Sequence, residues 1–369
     1  MKECFLLSPF NYFEEKPRVN KRQPHKRKDE KILKKDSAKV VFEKFLEFKS
    51  KQNLRPPSLN KFVALFKNLE TFHKKRSQTI LHVTHITTEF ISDYVYWLKH
   101  EYVKFENNNN VPERVKTIGL ADASIATRIR SLKTFINWCV RKKVIQHNPF
   151  DSWEGFKQNS TEIDVLTRGE LNNLLRVAKF YSNKSFKYFR DTVLLHLLID
   201  GMLRITEALL LSPDDIDHVN KTILIRSVNA KSRKSRIIPL SNKTYRLLNQ
   251  LLEENEAFEG ETDNLVFLSL SGRMLNKNNV LRDLKKWAQE AGIKKRFYLH
   301  LIRHSVATEY LRSSGDVESL RKILGHADLR TVLIYSHLAD STIQEKHESH
   351  GFFGSENVIH RKRSNKRRK

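Results

Sequence analysis

Apolar residues recur at spacings of three and four along four stretches of the N-terminal half. These are VVFEKFLEF (40–48), SLNKFVALFKNLETFHKK (58–75), TTEFISDYVYWLKHEYVKF (87–105) and ASIATRIRSLKTFINWCVRKKVI (123–145). That period predicts four amphipathic helices, enough for a small bundle. The polar text ENNNNVPERVKTIGLAD (106–122) between the third and fourth predicts a loop. Asn148-Pro149 stops the fourth helix, because proline cannot continue it and disfavours helical geometry just before it. Residues 1–35 are polar and basic with little helical periodicity, and read as a disordered tail.

After a linker at 151–165 the pattern changes. Thr167 and Glu170 stand in capping-box register, so a helix is expected to start there. A second runs from about Lys187 through DTVLLHLLID (191–200). Two β-branched runs, KTILIRSV (221–228) and SRIIPL (235–240), alternate with period two around NAKSRK and predict a hairpin. VFLSL (266–270) reads as a third strand, and mostly helical text follows. The expected organisation is a basic tail (1–35), a helical domain (36–150), a linker (151–165), a mixed α/β domain (166–349) and a basic C-terminal tail (350–369). The fold class is mainly α with a small antiparallel β-sheet.

Charge changes the picture from fold to partner. The chain of 369 residues carries a formal net charge of +26, which calls for a polyanion. No apolar run approaches the ~20 residues of a spanning helix, and the first residues lack the pattern of a secretory signal. Nucleic acid is therefore the expected partner, not a membrane, and the cytoplasm, with the nucleoid, the expected location. Basic residues among the apolar ones of the fourth helix (Arg128, Arg130, Lys133, Arg141, Lys142, Lys143) fit DNA contact or a solvated face equally. Two cysteines, Cys4 and Cys139, make neither a disulfide framework nor a zinc site. With 11 glycines and no phosphate-cradling loop, no cofactor, ATP or metal is expected.

Cutting DNA without those aids needs fixed cations on the phosphate oxygens, a nucleophile in line and a proton for the leaving oxygen. Arginine suits the first task, since its planar fork donates two parallel hydrogen bonds and stays charged. Four stretches offer such groups. GMLRITEALLLSPDDID holds Arg204, expected on a helix, with Glu207 one turn later. The hairpin turn holds Lys231. HLIRHSVAT places His300 and Arg303 three apart on one helical face. LGHADLRTVLIYSHL holds His326 and Tyr335. Each has a bland reading alone: Tyr335 as a packing tyrosine, His326 as a turn residue, Arg204 as a surface arginine paired with Glu207, and Lys231 as one of several solvated cations beside Arg233 and Lys234.

Taken together, these positions resemble the tyrosine recombinase, or phage integrase, family over about residues 36–345. Arg204, Lys231, His300, Arg303, His326 and Tyr335 follow the family's order. So does the flanking text: R-I-T-E then D-I-D, a basic hairpin then I-I-P-L, R-H-S-x-A-T, and L-G-H followed nine residues later by Y-S-H. The resemblance implies an N-terminal four-helix, SAM-like core-binding domain and an α/β catalytic domain that close as a C-shaped clamp on duplex DNA. It implies a site-specific recombinase working through a 3′-phosphotyrosyl intermediate and a Holliday junction.

The resemblance also implies roles. Arg204 and Arg303 would clamp the non-bridging oxygens, His326 would donate to the same phosphate, and His300 would assist proton movement. Lys231 would protonate the leaving 5′ oxygen, Tyr335 would attack, and Glu207 would orient the site. Lys231 is preferred because it opens A-K-S-R-K-S-R, like the family's G-K-G-x-K-x-R hairpins, with Ala230 and Ser232 at the glycine positions. One departure lies at Met202, where the family commonly has glycine two residues before the first arginine, so the turn into Arg204 is expected to differ. Implied partners are double-stranded DNA at a specific recombination site, three further copies in a homotetramer on paired sites, and accessory DNA-binding or activator proteins. The alternatives are a type IB topoisomerase-like relaxing enzyme and a non-catalytic DNA-binding protein on the same fold.

Overall fold

The computed structural model describes residues 37–54, 56–106, 109–156, 164–230, 234–258, 260, 262–314 and 316–325. The expected tails at 1–35 and 350–369 lie outside them. The chain divides into two compact units, Met1–Thr161 and Glu162–Lys369. Among the described residues no helix is long and apolar enough to cross a membrane.

The first unit holds α1 (Ala38–Lys51), α2 (Pro56–Arg76), α3 (Thr88–His100) and α4 (Asp122–Arg141). The three-four spacing turns Phe42, Phe45, Phe66, Leu69, Leu132 and Phe135 inward, all nearly inaccessible to solvent. Phe42 stacks on Phe66 at 4.5 Å between centroids, and Phe45 meets Phe135 edge-on at 5.3 Å. Burying each ring stabilises the bundle by roughly 2–3 kcal/mol. Two helices end earlier than the periodicity predicts. After α3, Tyr102 folds back so that its N–H reaches the Trp97 carbonyl at 2.8 Å and its ring packs edge-on against that indole. After α4, Lys143 turns left-handed with φ 57°, and Val144 N–H closes on the Cys139 carbonyl at 2.9 Å. That 6→1 bond is the stop signal usually given by glycine. On α4, Arg128 lies over the Tyr102 ring and Lys133 over Phe150, their stems covering the core's edge.

The second unit holds α5 (Arg168–Ser182), α6 (Phe186–Asp200), α7 (Ile205–Leu209), β1 (Ile216–Asp217), β2 (Thr222–Ile225), β3 (Arg236–Pro239), α8 (Asn242–Glu256), α9 (Lys277–Glu290), α10 (Leu299–Ser314) and α11 (Val317–Leu324). The predicted capping box forms: Thr167 Oγ accepts from Glu170 N–H, and Glu170 accepts from Thr167 N–H at 2.7 Å. The sheet is antiparallel in the order β1-β2-β3, with Ile223 opposite Ile238 and Ile225 opposite Arg236. Ile223, Ile225 and Ile238 face the core, while Leu224 and Ile237 face outward, as period two requires.

The third strand is therefore β1, and VFLSL is not in the ladder. Its backbone groups find other partners. Val266 N–H donates to the Leu211 carbonyl at 2.8 Å, Asn255 reaches the Val266 carbonyl at 2.8 Å, and Arg190 reaches the Leu268 carbonyl at 2.7 Å. A buried segment needs its backbone satisfied, and side chains do so here as well as a neighbouring strand would.

Candidate active site

The site is assembled where α6 ends and α7 begins. Gly201 closes α6, and Met202 then takes a left-handed φ of 49°. That conformation costs a residue with a Cβ roughly 1–2 kcal/mol. Met202 is offset by its burial against Ala307, Leu311, Leu320 and Leu324. The turn expected to differ is thus kept in the shape glycine would give, with a side chain added that docks α10 and α11.

Arg204 is not inside a helix. It is the N-cap of α7, extended at φ −74° and ψ 142°. Its N–H donates to Glu207 Oε2 at 3.0 Å and its guanidinium to Oε1 at 2.8 Å. Glu207 stands in the third helical position of α7, so one carboxylate caps the helix start and orients Arg204. This pair was the bland reading of Arg204, but the arginine side chain is only 14% exposed and the glutamate has no exposure at all.

The same carboxylate gathers two more arginines. Arg236 donates to Glu207 Oε2 at 2.7 Å, and Arg303 lies 4.0 Å from it. Arg236 opens β3, and the period of two sets it on the core-facing side with Ile238. Arg303 comes from the first turns of α10 and is buried. Both arginines also donate to the end of α11, Arg236 to the Ile323 carbonyl at 2.8 Å and Arg303 to the Leu324 carbonyl at 2.7 Å. Arg303 further donates to the Met202 carbonyl. Cations at a helix C-terminus meet its unsatisfied carbonyls and its negative dipole end. Gly325 then ends α11 with φ 64°, and a Cβ there would sit 3.0 Å from the Arg236 side chain. Glycine in L-G-H is thus required twice, by conformation and by the guanidinium packed against it.

Three guanidiniums around one carboxylate leave a net positive patch. Burial pushes the Glu207 carboxyl up, but the Arg236 hydrogen bond and charge, the Arg204 N–H and the Arg204 guanidinium more than offset it and hold it down to about 2. It stays an anion at any working pH. His300, in the first turn of α10, is exposed, and its ring meets that of His304 at 6.0 Å. Burial, then His300 and Arg303, push the His304 imidazole down to about 4, so it is neutral near pH 7.

The structure thus brings Arg204, Glu207 and Arg303 together and places His300 one turn before Arg303. Lys231, His326 and Tyr335 lie outside the described residues. Arg236 was missed as a site residue, although it closes the run A-K-S-R-K-S-R that marked the hairpin.

Comparison with known proteins bears on this cluster. The model of the phage integrase family matches residues 164–342, the unit that holds the three arginines. A model of the phage integrase SAM-like domain matches residues 18–158. Tyrosine recombinase XerC of Serratia marcescens is 32% identical over 228 residues, which are 61% of this chain and 72% of the relative.

The chain belongs to the phage integrase family of tyrosine recombinases. It is a site-specific DNA strand transferase by that membership. Tyrosine recombinase XerD of Staphylococcus haemolyticus is 27% identical over 257 residues, 68% of this chain and 85% of the relative. Two solved structures share the fold at low identity. The XerH site-specific recombinase bound to a palindromic difH substrate gives a TM-score of 0.62 at 19% identity, covering 81% of this chain and 82% of that one. The Tn1549 transposon integrase in complex with transposon right end DNA gives 0.63 at 16% identity, covering 84% and 99%. The expected fold class therefore holds: a SAM-like helical domain and a catalytic domain, mainly α with one small antiparallel sheet.

Proposed function

We propose that this recombinase cleaves duplex DNA at a specific site with Tyr335 as nucleophile and Arg204, Lys231, His300, Arg303 and His326 as the groups that make the phosphate react. The observation that carries the reading is the buried Glu207 carboxylate, which holds Arg204 at 2.8 Å and Arg303 at 4.0 Å in one place. Two pre-oriented guanidiniums stabilise the charge that grows on the non-bridging oxygens without reorganising during the step. His326, next in the chain after Gly325, donates to the same phosphate.

The chemistry balances without a co-reactant. The Tyr335 oxygen attacks phosphorus, the bond from phosphorus to the 5′ oxygen breaks, and a 3′-phosphotyrosyl ester forms. A free phenol has a pKa of ~10, so its proton must leave, aided by nearby cations and His300. Lys231 gives a proton to the departing 5′ oxygen. A 5′ hydroxyl of a second duplex then attacks the ester and releases tyrosine, so the ester conserves the energy of the cut bond. Two rounds of exchange pass through a Holliday junction.

The relatives' complexes with difH and with transposon end DNA support duplex DNA as the substrate. The reading takes residues 36–150 as the core DNA-binding domain, 151–165 as a linker and 166–349 as the catalytic domain. Four copies act on paired sites, with accessory DNA-binding or activator proteins as further partners, in the cytoplasm where the DNA is.

Covalent trapping tests the reading. The recombination site is first selected from a pool of random duplexes. A nicked version is then incubated with the full chain and run on a denaturing gel. A protease-sensitive protein–DNA adduct is expected, and none with Tyr335→Phe. An adduct with the Phe variant would remove Tyr335 as nucleophile. No adduct from the native protein on its selected site would sink the enzyme reading.

A further inference from the structure

A trough runs along the second unit between α5, α6 and α8, on faces of these helices that take no part in the arginine cluster. It encloses about 830 Å³. Its α5 wall extends from Asn172 to Asn183, roughly 16 Å at 1.5 Å per residue. That is close to the length of three turns of helix.

The walls carry one sign of charge. Arg176 and Lys179 line the α5 side, and Lys243 and Arg246 line the α8 side. In each pair the residues are three apart, so both point from one face of their helix. None of the four makes an ion pair among the described residues, and no carboxylate lines the trough. On α6, Asp191 pairs with Arg190, and Asp200, one turn beyond the lining residue His196, accepts from Ser241 N–H at 2.8 Å.

The floor is apolar. Leu175, Phe189 and Leu247 line it and are only half-buried. Among them lies His196, 8% exposed. Burial and then the Lys243 charge push its imidazole down to about 4, with Asp200 opposing. It therefore presents a neutral ring to the trough.

An apolar floor between two cationic walls has one complement: a helix with an apolar stripe flanked on both edges by carboxylates. Duplex DNA does not fit as well, because its phosphate backbone has nothing to set against Leu175, Phe189 and Leu247. We infer that this trough docks an acidic amphipathic helix of a partner protein. The surface is separate from the reaction, so it can be occupied while the arginine cluster holds DNA. The docked helix would neutralise walls that repel each other and bury the floor.

The test uses the full chain and a fluorescein-labelled synthetic peptide of about fourteen residues, long enough for a helix. The peptide carries leucine at i, i+3 and i+7 with glutamates on either side. A second peptide has the same charge with glutamine at the leucine positions. Anisotropy at physiological salt should show the leucine peptide binding about tenfold tighter than its polar twin. Lys179→Glu with Lys243→Glu, one change on each wall, should weaken it by at least about tenfold. Lys285→Glu with Lys286→Glu, exposed on α9, makes the same change in net charge and should leave binding within about twofold. Melting curves establish that both variants fold. Equal binding of the two peptides, or equal loss in both variants, would mean that only net charge is read and would overturn the proposal. So would a groove variant that binds duplex DNA more weakly and the leucine peptide unchanged, which would assign the trough to nucleic acid.

Discussion

One carboxylate organises the arginines, and its removal separates charge from shape. Glu207→Gln keeps the size of the side chain but leaves Arg204, Arg236 and Arg303 with no anion at their centre. Breaking a buried pair by removing one partner costs about 3–5 kcal/mol, and a stability loss of that order is expected from urea unfolding at pH 7. The acid limb gives a second readout. The Glu207 carboxyl is held to about 2 against an ordinary value of 4.5. A depressed folded value means that its stabilisation is complete above pH 4.5 and is lost as pH falls through 2. That shift is worth about 3 kcal/mol. The native protein should lose this increment between pH 4.5 and 2, and the glutamine variant should not. Adduct formation should fall as well, since Arg204 and Arg303, the arginines proposed to bind the phosphate, lose their brace. A variant with unchanged stability and unchanged cleavage would show that the cluster holds without its carboxylate.

At the level of elements, the end of α11 is tied to β3 and α10 by two arginines rather than by apolar packing alone. Gly325 is the joint. Gly325→Ala must place a Cβ at φ 64° and 3.0 Å from the Arg236 side chain. The left-handed conformation costs a residue with a Cβ roughly 1–2 kcal/mol, so stability should fall modestly. Cleavage should fall much further, by about tenfold or more, because a shifted Arg236 releases Glu207 and with it Arg204. Parallel denaturation and adduct assays check that split, and proportionate losses in both would count against it. These same elements mark what could be read in advance. Helical periodicity, the Thr167–Glu170 capping box and the order of the site residues carry local signals, and local physics decides them. Arg236 did not stand out among Arg233, Lys234 and its other basic neighbours, because only the strand register turns it inward with Ile238. Arg204 was expected on a helix, but its own N–H is capped by Glu207, which places it just outside. VFLSL has the composition of a strand, yet Arg190 and Asn255 from distant elements satisfy its backbone. For Arg236 and VFLSL the deciding partners are tertiary, and no short window of sequence contains them; for Arg204 the partner is three residues away, in the capping geometry of its own helix.

On the scale of the whole molecule, the two units keep separate cores, so their responses to pH should differ. In the second unit His196 and His304 are both pushed down to about 4, in each case first by burial and then by neighbouring cations or a second histidine. Their ordinary value is 6.5. Between pH 6.5 and 4 the unfolded chain holds protons that the folded chain refuses. Stability from these rings is therefore complete above pH 6.5 and declines as pH falls toward 4. For His196 the shift corresponds to about 3 kcal/mol. In the first unit His85 is also pushed down, by burial and then by His82 and His73, but it is exposed and solvent screens it. Thermal unfolding of the full chain should thus show the second unit's transition moving down between pH 7.5 and 5 while the first unit's moves little. His196→Phe keeps an apolar ring in place and removes one titrating group, so it should flatten the slope by about one proton. A slope unchanged by that substitution would mean that the falling stability comes from the growing net charge, already +26 near neutrality, and not from a buried imidazole. Duplex DNA separates the two causes again. Its phosphates relieve charge repulsion but do nothing for His196, so bound DNA should raise both transitions and leave the slope of the second in place.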